Sequence, residues 1–242
     1  MRSSAGGDRL RFDLYLESGP QHRKTWVFVP SLPGCVAVGP TSDAAIEIAR
    51  SAIGQRLEFL RRHGETIPGA ESIDVVVAEH VIERKFLGYG QQFFPPDAEP
   101  LTEAEARRQL RWAAWSREEL VAAARAQPEP LTVRPAAGGR SAAAIISHVA
   151  GAEWAYASAT LGTLPGGGAA IAAIERAGEQ PWEALAAERR TLMARLDALT
   201  REELSRVVER KGRPRWTARR MLRRMLEHES EHLEELRSRL PT

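Results

Sequence analysis

Two histidines four residues apart, His228 and His232, stand in the last long run of the chain, Arg219-Arg-Met-Leu-Arg-Arg-Met-Leu-Glu-His-Glu-Ser-Glu-His-Leu-Glu-Glu-Leu236. On a helix this spacing sets both imidazoles on one face, a turn apart. At ~100° per residue the same stripe carries Met221, Met225 and Leu236, with Leu222, Leu226 and Leu233 beside it. Arg220, Arg223, Glu227, Glu231 and Glu234 fall on the outward side. Imidazoles on a core-facing stripe need polar partners, and one divalent cation satisfies both. A third histidine, His148, lies beside the apolar stripe Ile145, Val149, Ala152 and Tyr156. Packed helices stand about 8–10 Å apart, so a facing helix can bring His148 against the pair. Three neutral histidines with an open fourth position are the arrangement of catalytic rather than structural zinc. Taken singly, each histidine reads as an ordinary core or surface residue; the same-face pair with an inward third is what favours ligation.

His228-Glu229-Ser230-Glu231-His232 also spells H-E-x-x-H, the zinc-protease helix. The residues after His232 include no histidine, and Glu234 and Glu235 are too near to reach back as a third ligand. The third ligand is therefore sought on the helix of His148. Glu229 falls on the flank beside His228, where helical rotation leaves a general-base role open. Glu153, Trp154 and Tyr156 accompany His148 as candidate pocket residues, although the two aromatics read equally well as packing. His22, His63 and His80 lie in the first hundred residues without such a pattern and are read as surface residues. Cys35 opens a short apolar run after a Leu-Pro-Gly turn with no basic neighbour in sequence, so it reads as structural rather than as a reactive thiolate.

Four long helical stretches must position these histidines, at about 102–127, 141–161, 182–198 and 216–239. The breakers QPEPLTVRPAAGG, GTLPGGG and ERKGRPR separate them. The connection from Gly162 to Pro181 is long beside the ~2–8 residues that join adjacent antiparallel helices, which points to a crossover bundle with a short helical turn at Ala169–Arg176. Ahead of the bundle, Leu10, Phe12, Leu14 and Leu16 alternate with polar neighbours, as on a half-buried strand. Thr25–Pro30 and Cys35–Val38 are further β runs. Ile46, Ala49, Ile53, Leu57 and Leu60 then recur at helical steps, with Thr41 or Ser42 as the cap and Gly64 at the end. Ile73–Val77 is the last β-branched run, giving the order β-β-β-α-β. Three prolines between Pro95 and Pro100 mark a boundary. The expected division is a β-β-β-α-β domain over 1–90, a Pro-rich linker over 91–101 and a helical bundle over 102–242, an α+β unit followed by an all-α one.

At 242 residues, with 43% hydrophobic and 27% charged side chains, the composition is that of a globular chain of two domains. No window holds the ~18 unbroken apolar residues of a membrane span, and the first residues lack the apolar core of a secretory signal. One cysteine excludes a disulfide framework within the chain, so a cytoplasmic location is expected. The net charge of +2 gives no bulk attraction to nucleic acid or membrane. Residues 201–224 hold ten basic and three acidic side chains. They read first as a solvated helix end, and second as an anion-binding surface. No nucleic-acid partner is expected.

Leu32-Pro-Gly-Cys-Val-Ala-Val-Gly-Pro-Thr41, an Ala/Ile-rich helix and His63-Gly-Glu-Thr-Ile-Pro68 resemble the HicB-type antitoxin domain over about residues 9–80. The resemblance implies a small β-β-β-α-β fold related to double-stranded-RNA-binding domains, and a protein partner, which in toxin–antitoxin pairs is a small ribonuclease. In that family a DNA-binding segment usually follows; in this chain a helical bundle does.

The second half carries another resemblance. Ser141-Ala-Ala-Ala-Ile-Ile-Ser-His148-Val-Ala-Gly-Ala-Glu153 and Trp216-Thr-Ala-Arg-Arg-Met-Leu222, followed by His228 and His232, look like the DinB-like superfamily over about residues 104–239. This implies an up-down-down-up four-helix bundle with a histidine triad, His148, His228 and His232, holding nickel, zinc or a similar divalent transition metal. Some members of that superfamily are thiol-dependent transferases or isomerases, in which the metal holds a low-molecular-weight thiol as thiolate. Two classes of function stay open: a metal-dependent enzyme acting on a small-molecule ligand, and a non-catalytic regulatory protein that grips a partner through its HicB-like half. A homodimer is compatible with both.

Overall fold

The computed structural model describes residues 2–3, 9–19, 24–67, 72–82 and 92–240. They divide into two compact units, Met1–Ala98 with Gly212–Pro214, and Glu99–Lys211 with Arg215–Thr242.

The first unit runs β1 (Arg2–Ser3), β2 (Arg9–Ser18), β3 (Thr25–Phe28), β4 (Val36–Gly39), α1 (Ser42–Arg62) and β5 (Ser72–Ile82). On β2, Leu10, Phe12, Leu14 and Leu16 are all buried while Arg9, Arg11 and Asp13 are exposed, as the alternation predicts. β2 lies between an antiparallel edge shared by β1 and β3 and a parallel edge formed by β5. β4 extends the sheet beyond β3. A parallel pair needs a crossover, which α1 supplies. Thr41 is the cap of α1, its hydroxyl accepting from the Ala44 amide at 3.2 Å. Gly34 has φ +88, and a Cβ there would stand 2.7 Å from the guanidinium of Arg56, whose Nε donates to the Pro33 carbonyl at 3.0 Å. Cys35 beside it is buried.

Three details depart from the sequence reading. β1 carries no periodic pattern and was not expected. β5 continues to Ile82, beyond Val77, because its ladder to β2 resumes after a register shift that leaves Ala78 out of step. The Pro-rich segment expected as a linker over 91–101 is, where described, a packed element. Phe94 is buried with its ring centroid 5.1 Å from Tyr15 and 5.6 Å from Phe28. Pro95–Ala98 forms a 3-10 turn in which the buried Asp97 carboxylate accepts the Phe94 amide at 3.0 Å. Prolines withhold backbone donors, but they also stiffen a turn that presents an aromatic anchor. The first-half histidines differ too. His80 is half-buried, its Nε2 2.7 Å from Ser18 Oγ, in a chain that continues to Thr25 and Ser42. The His63 ring packs on Phe59 at 4.7 Å. His22 lies outside the described residues.

The second unit contains α2 (Glu103–Arg125), α3 (Ala142–Leu161), α4 (Gly167–Arg176), α5 (Trp182–Asp197), α6 (Arg201–Ser205) and α7 (Ala218–Arg237). Side-chain caps start the long helices: Thr102 with Glu105 in a capping box on α2, Ser141 on α3 and Thr217 on α7. α4 occupies the long Gly162–Pro181 link. α6, which the sequence reading did not place, precedes the breaker ERKGRPR, and an isolated antiparallel bridge between Val208 and Trp216 brackets it. α2 and α3 each pack against both α5 and α7.

The core has two apolar clusters. α2 passes from Ala106 and Leu110 in one cluster to Leu120 and Ala124 in the other, and α7 runs the same way, from Met221 and Met225 to Leu233 and Leu236. α3 goes from Ile145 and Val149 to Trp154 and Ala157, and α5 from Leu185 to Leu192, both in the opposite sense. The order α2, α3, α5, α7 is therefore up-down-down-up.

Candidate metal centre

α3 and α7 pack against each other and carry the three histidines to one place. Nitrogen atoms of His148, His228 and His232 all lie within 4.8 Å of one another. The Nε2 atoms of His148 and His228 are 3.2 Å apart. A tetrahedral ion at ~2.0–2.1 Å from each imidazole nitrogen would set neighbouring donors about 3.3 Å apart, so this pair is already at a ligating separation. His228 and His232 are buried, and His148 is half-buried.

Burial is the first cause holding all three imidazoles neutral. It pushes His228 down to about 2, helped by the charges of His232, Arg224, His148 and Arg140. His148 is lowered by burial, then by Arg140 and His232. His232 is lowered by burial against the upward pull of Glu235. Neutral nitrogen donors are the form a divalent ion requires. His232 Nδ1 stands 2.7 Å from Glu235 Oε2, a contact that fixes the tautomer and leaves Nε2 for an ion. His228 Nδ1 is buried with no hydrogen-bond partner among the described residues. The donor set therefore fits a borderline divalent cation held by His148, His228 and His232.

The other candidates separate. Tyr156 stands beside the site, its ring centroid 6.0 Å from His228 and stacked on Trp216 at 5.4 Å. Trp154 instead lines a cleft of about 390 Å³ between α3 and α4, and its indole N–H donates to Glu188 at 2.6 Å. Glu153 is no pocket residue. It is buried in a charged layer between the two apolar clusters, accepting from Arg117 at 2.8 Å and from Arg189. Glu229 joins the same layer, with Oε1 2.5 Å from Arg117 Nε. Turned into the core and tied to a guanidinium, Glu229 is withdrawn from the general-base role that H-E-x-x-H left open.

Two features escaped the sequence reading. Glu235, set aside as too close to be a third ligand, is the residue that orients His232; the signal was its i,i+3 spacing. Arg220, Arg223 and Glu227, placed outward by periodicity, are buried, with Arg223 Nη1 2.8 Å from Glu227 and Arg224 Nη1 3.0 Å from it. Sequence pattern counts charges as surface and cannot see that they neutralise one another inside.

Residues 113–236 match the DinB superfamily, and residues 12–126 match the family described as HicB-like antitoxin of bacterial toxin-antitoxin system. No curated protein and no solved structure matches the chain. The DinB match covers half of the chain, spans α3 to α7 and contains all three histidines. The chain belongs to the DinB superfamily, and its residues 12–126, which run through α2 of the bundle, are similar to the HicB-like antitoxins.

Proposed function

We propose that His148, His228 and His232 hold one divalent transition metal, nickel or zinc, and that the protein is a metal-dependent enzyme acting on a small molecule, of the thiol-dependent transferase or isomerase kind. The observation that carries this reading is the convergence of three neutral imidazoles within 4.8 Å, one of them oriented by Glu235. Bound there, the ion would depress the pKa of a low-molecular-weight thiol and orient its sulfur for attack. The chain's own part is to keep the imidazoles unprotonated by burial, to aim His232 through Glu235, and to wall one side of the site with Tyr156.

Elemental analysis of untagged protein after incubation with zinc or nickel tests the ligands. About one equivalent is expected, with His228→Ala and His232→Ala losing stoichiometric metal and His148→Ala binding it far more weakly. Metal well below one equivalent, or full occupancy in His228→Ala, would refute the site. Thiol-dependent turnover that disappears with the metal tests the enzyme reading.

The match over residues 12–126 favours a second reading. In it the HicB-like half grips a protein partner and the bundle is a metal-stabilised regulatory scaffold. A small toxin-like ribonuclease encoded beside the gene and co-purifying with the chain would support this one. Under either reading we place the protein in the cytoplasm, with no nucleic-acid partner and a homodimer compatible with both. Among the described residues no helix is long and apolar enough to cross a membrane.

A further inference from the structure

Glu235 fixes the orientation of His232, but no such group serves His228, whose buried Nδ1 has no hydrogen-bond partner among the described residues. An imidazole turns about a broad torsion, so an ion bound at Nε2 needs something else to hold this ring. What stands against it is Tyr156, two turns beyond His148 on the same face of α3. The half-buried Tyr156 ring lies 6.0 Å from His228, centroid to centroid, with the planes at 82°. Edge-to-face contact at this range is a geometry that ring quadrupoles favour. Tyr156 is itself backed by Trp216, stacked on it at 5.4 Å with the planes 28° apart.

Trp216 in turn is fastened by backbone and side chain. Its amide donates to the Val208 carbonyl at 3.0 Å and its carbonyl accepts the Val208 amide at 2.8 Å, just ahead of the Thr217 cap of α7. The buried Arg220 guanidinium lies over the indole at 4.4 Å and donates to the Arg215 carbonyl. Arg220, Trp216, Tyr156 and His228 thus form one packed series that ends on a metal ligand. We propose that Tyr156 is a positioning residue of the metal centre, its ring, held by Trp216, keeping the His228 imidazole in its ligating orientation as Glu235 does for His232. A ring contact aims a ligand without the added basicity that a carboxylate partner confers, so the bound ion retains more of its Lewis acidity. This inference rests on the three-histidine metal reading.

The test uses the full chain titrated with Co(II), whose visible absorption reports the geometry of the ligands around it. Tyr156→Phe keeps the ring and is expected to match the unmodified protein in affinity and spectrum. Tyr156→Leu should bind Co(II) about tenfold more weakly and with an altered spectrum, while the helix content of the metal-free protein stays the same. Trp216→Leu, one ring further from the histidines, should shift the spectrum the same way by a smaller amount, and it decides the matter should Tyr156→Leu fail to fold. Unchanged affinity and spectrum in Tyr156→Leu, or an unchanged spectrum in Trp216→Leu, would overturn the proposal. So would a loss in Tyr156→Phe equal to that in Tyr156→Leu, because the hydroxyl rather than the ring would then be the acting group. Metal below one equivalent in the unmodified protein would overturn the metal reading and this one with it.

Discussion

Glu188 accepts the Trp154 indole N–H on one oxygen, and its other oxygen stands 3.9 Å from Arg117 Nη1. Burial, and then the neighbouring Glu153 carboxylate, push its pKa up to about 7. A folded-state value above the unfolded ~4.3 contributes stability that is complete below the unfolded value and is lost as pH rises through about 7, a change worth ~3 kcal/mol. Glu188→Gln keeps an acceptor for Trp154 and abolishes the titration. Urea unfolding of the metal-free protein should show a gain of about 2–3 kcal/mol at pH 8.5 and almost none at pH 4. An equal effect at both pH values would remove the proposed cause. His228 works in the opposite direction. Its value is depressed to about 2, so the unfolded chain binds the proton first, and stability is lost as pH falls below ~6.5. His228→Leu should flatten the acid limb of the metal-free protein between pH 6 and pH 4 by about 1.4 kcal/mol per pH unit. An unchanged slope would mean that His228 is already protonated in the folded state.

At the scale of elements, α7 departs furthest from its own pattern. A helix with arginine and glutamate on three sides reads as a surface helix, but Arg220, Arg223, Glu227 and Glu229 are nearly inaccessible. What makes this tolerable is pairing, and the pairing joins elements. Arg117 of α2 holds Glu229 of α7 and Glu153 of α3, and Arg189 of α5 also reaches Glu153. With Glu188 protonated, the layer has two guanidiniums and two carboxylates. Removing one partner from a buried pair strands the other, so Arg117→Met is expected to cost about 3–5 kcal/mol in urea unfolding. Adding Glu229→Leu restores the balance, and the double variant should recover most of that loss. A double variant as unstable as Arg117→Met alone would mean that charge matching is not what stabilises the layer.

At the scale of the whole molecule, the two units have separate cores, and Phe94 assigns the Pro-rich segment to the first of them. We place the working boundary at Ala98 and Glu99. Phe94→Ala should then lower one unfolding transition by about 3–5 kcal/mol and leave untouched the transition that responds to a chelator. For that second transition, stripping metal present at a hundredfold over its dissociation constant removes ~2.7 kcal/mol. In a chain of this size this is a fall of about 5–11 °C in melting temperature, readable by scanning calorimetry. A chelator effect on the transition shifted by Phe94→Ala would break the assignment.

Much of this was legible in the residues alone. Strand alternation at Leu10–Leu16, helical steps at Ile53–Leu60 and the i,i+4 pair of His228 and His232 are local periodicities, set by backbone geometry within one element and therefore visible one element at a time. Caps and breakers are equally local, which is why the helix limits came out within a few residues. Contact across elements is another matter. That His148 meets the α7 pair depends on which helices adjoin, and the likeness to a known superfamily anticipated it where periodicity could not. Glu153 in the core rather than the pocket, Glu229 against Arg117 and Phe94 against Tyr15 and Phe28 are all pairings between residues far apart in the chain. A charge or an aromatic has the same letter whether water or a partner surrounds it. Only the packed structure decides which, because burial and neutralisation are properties of the neighbours and not of the residue.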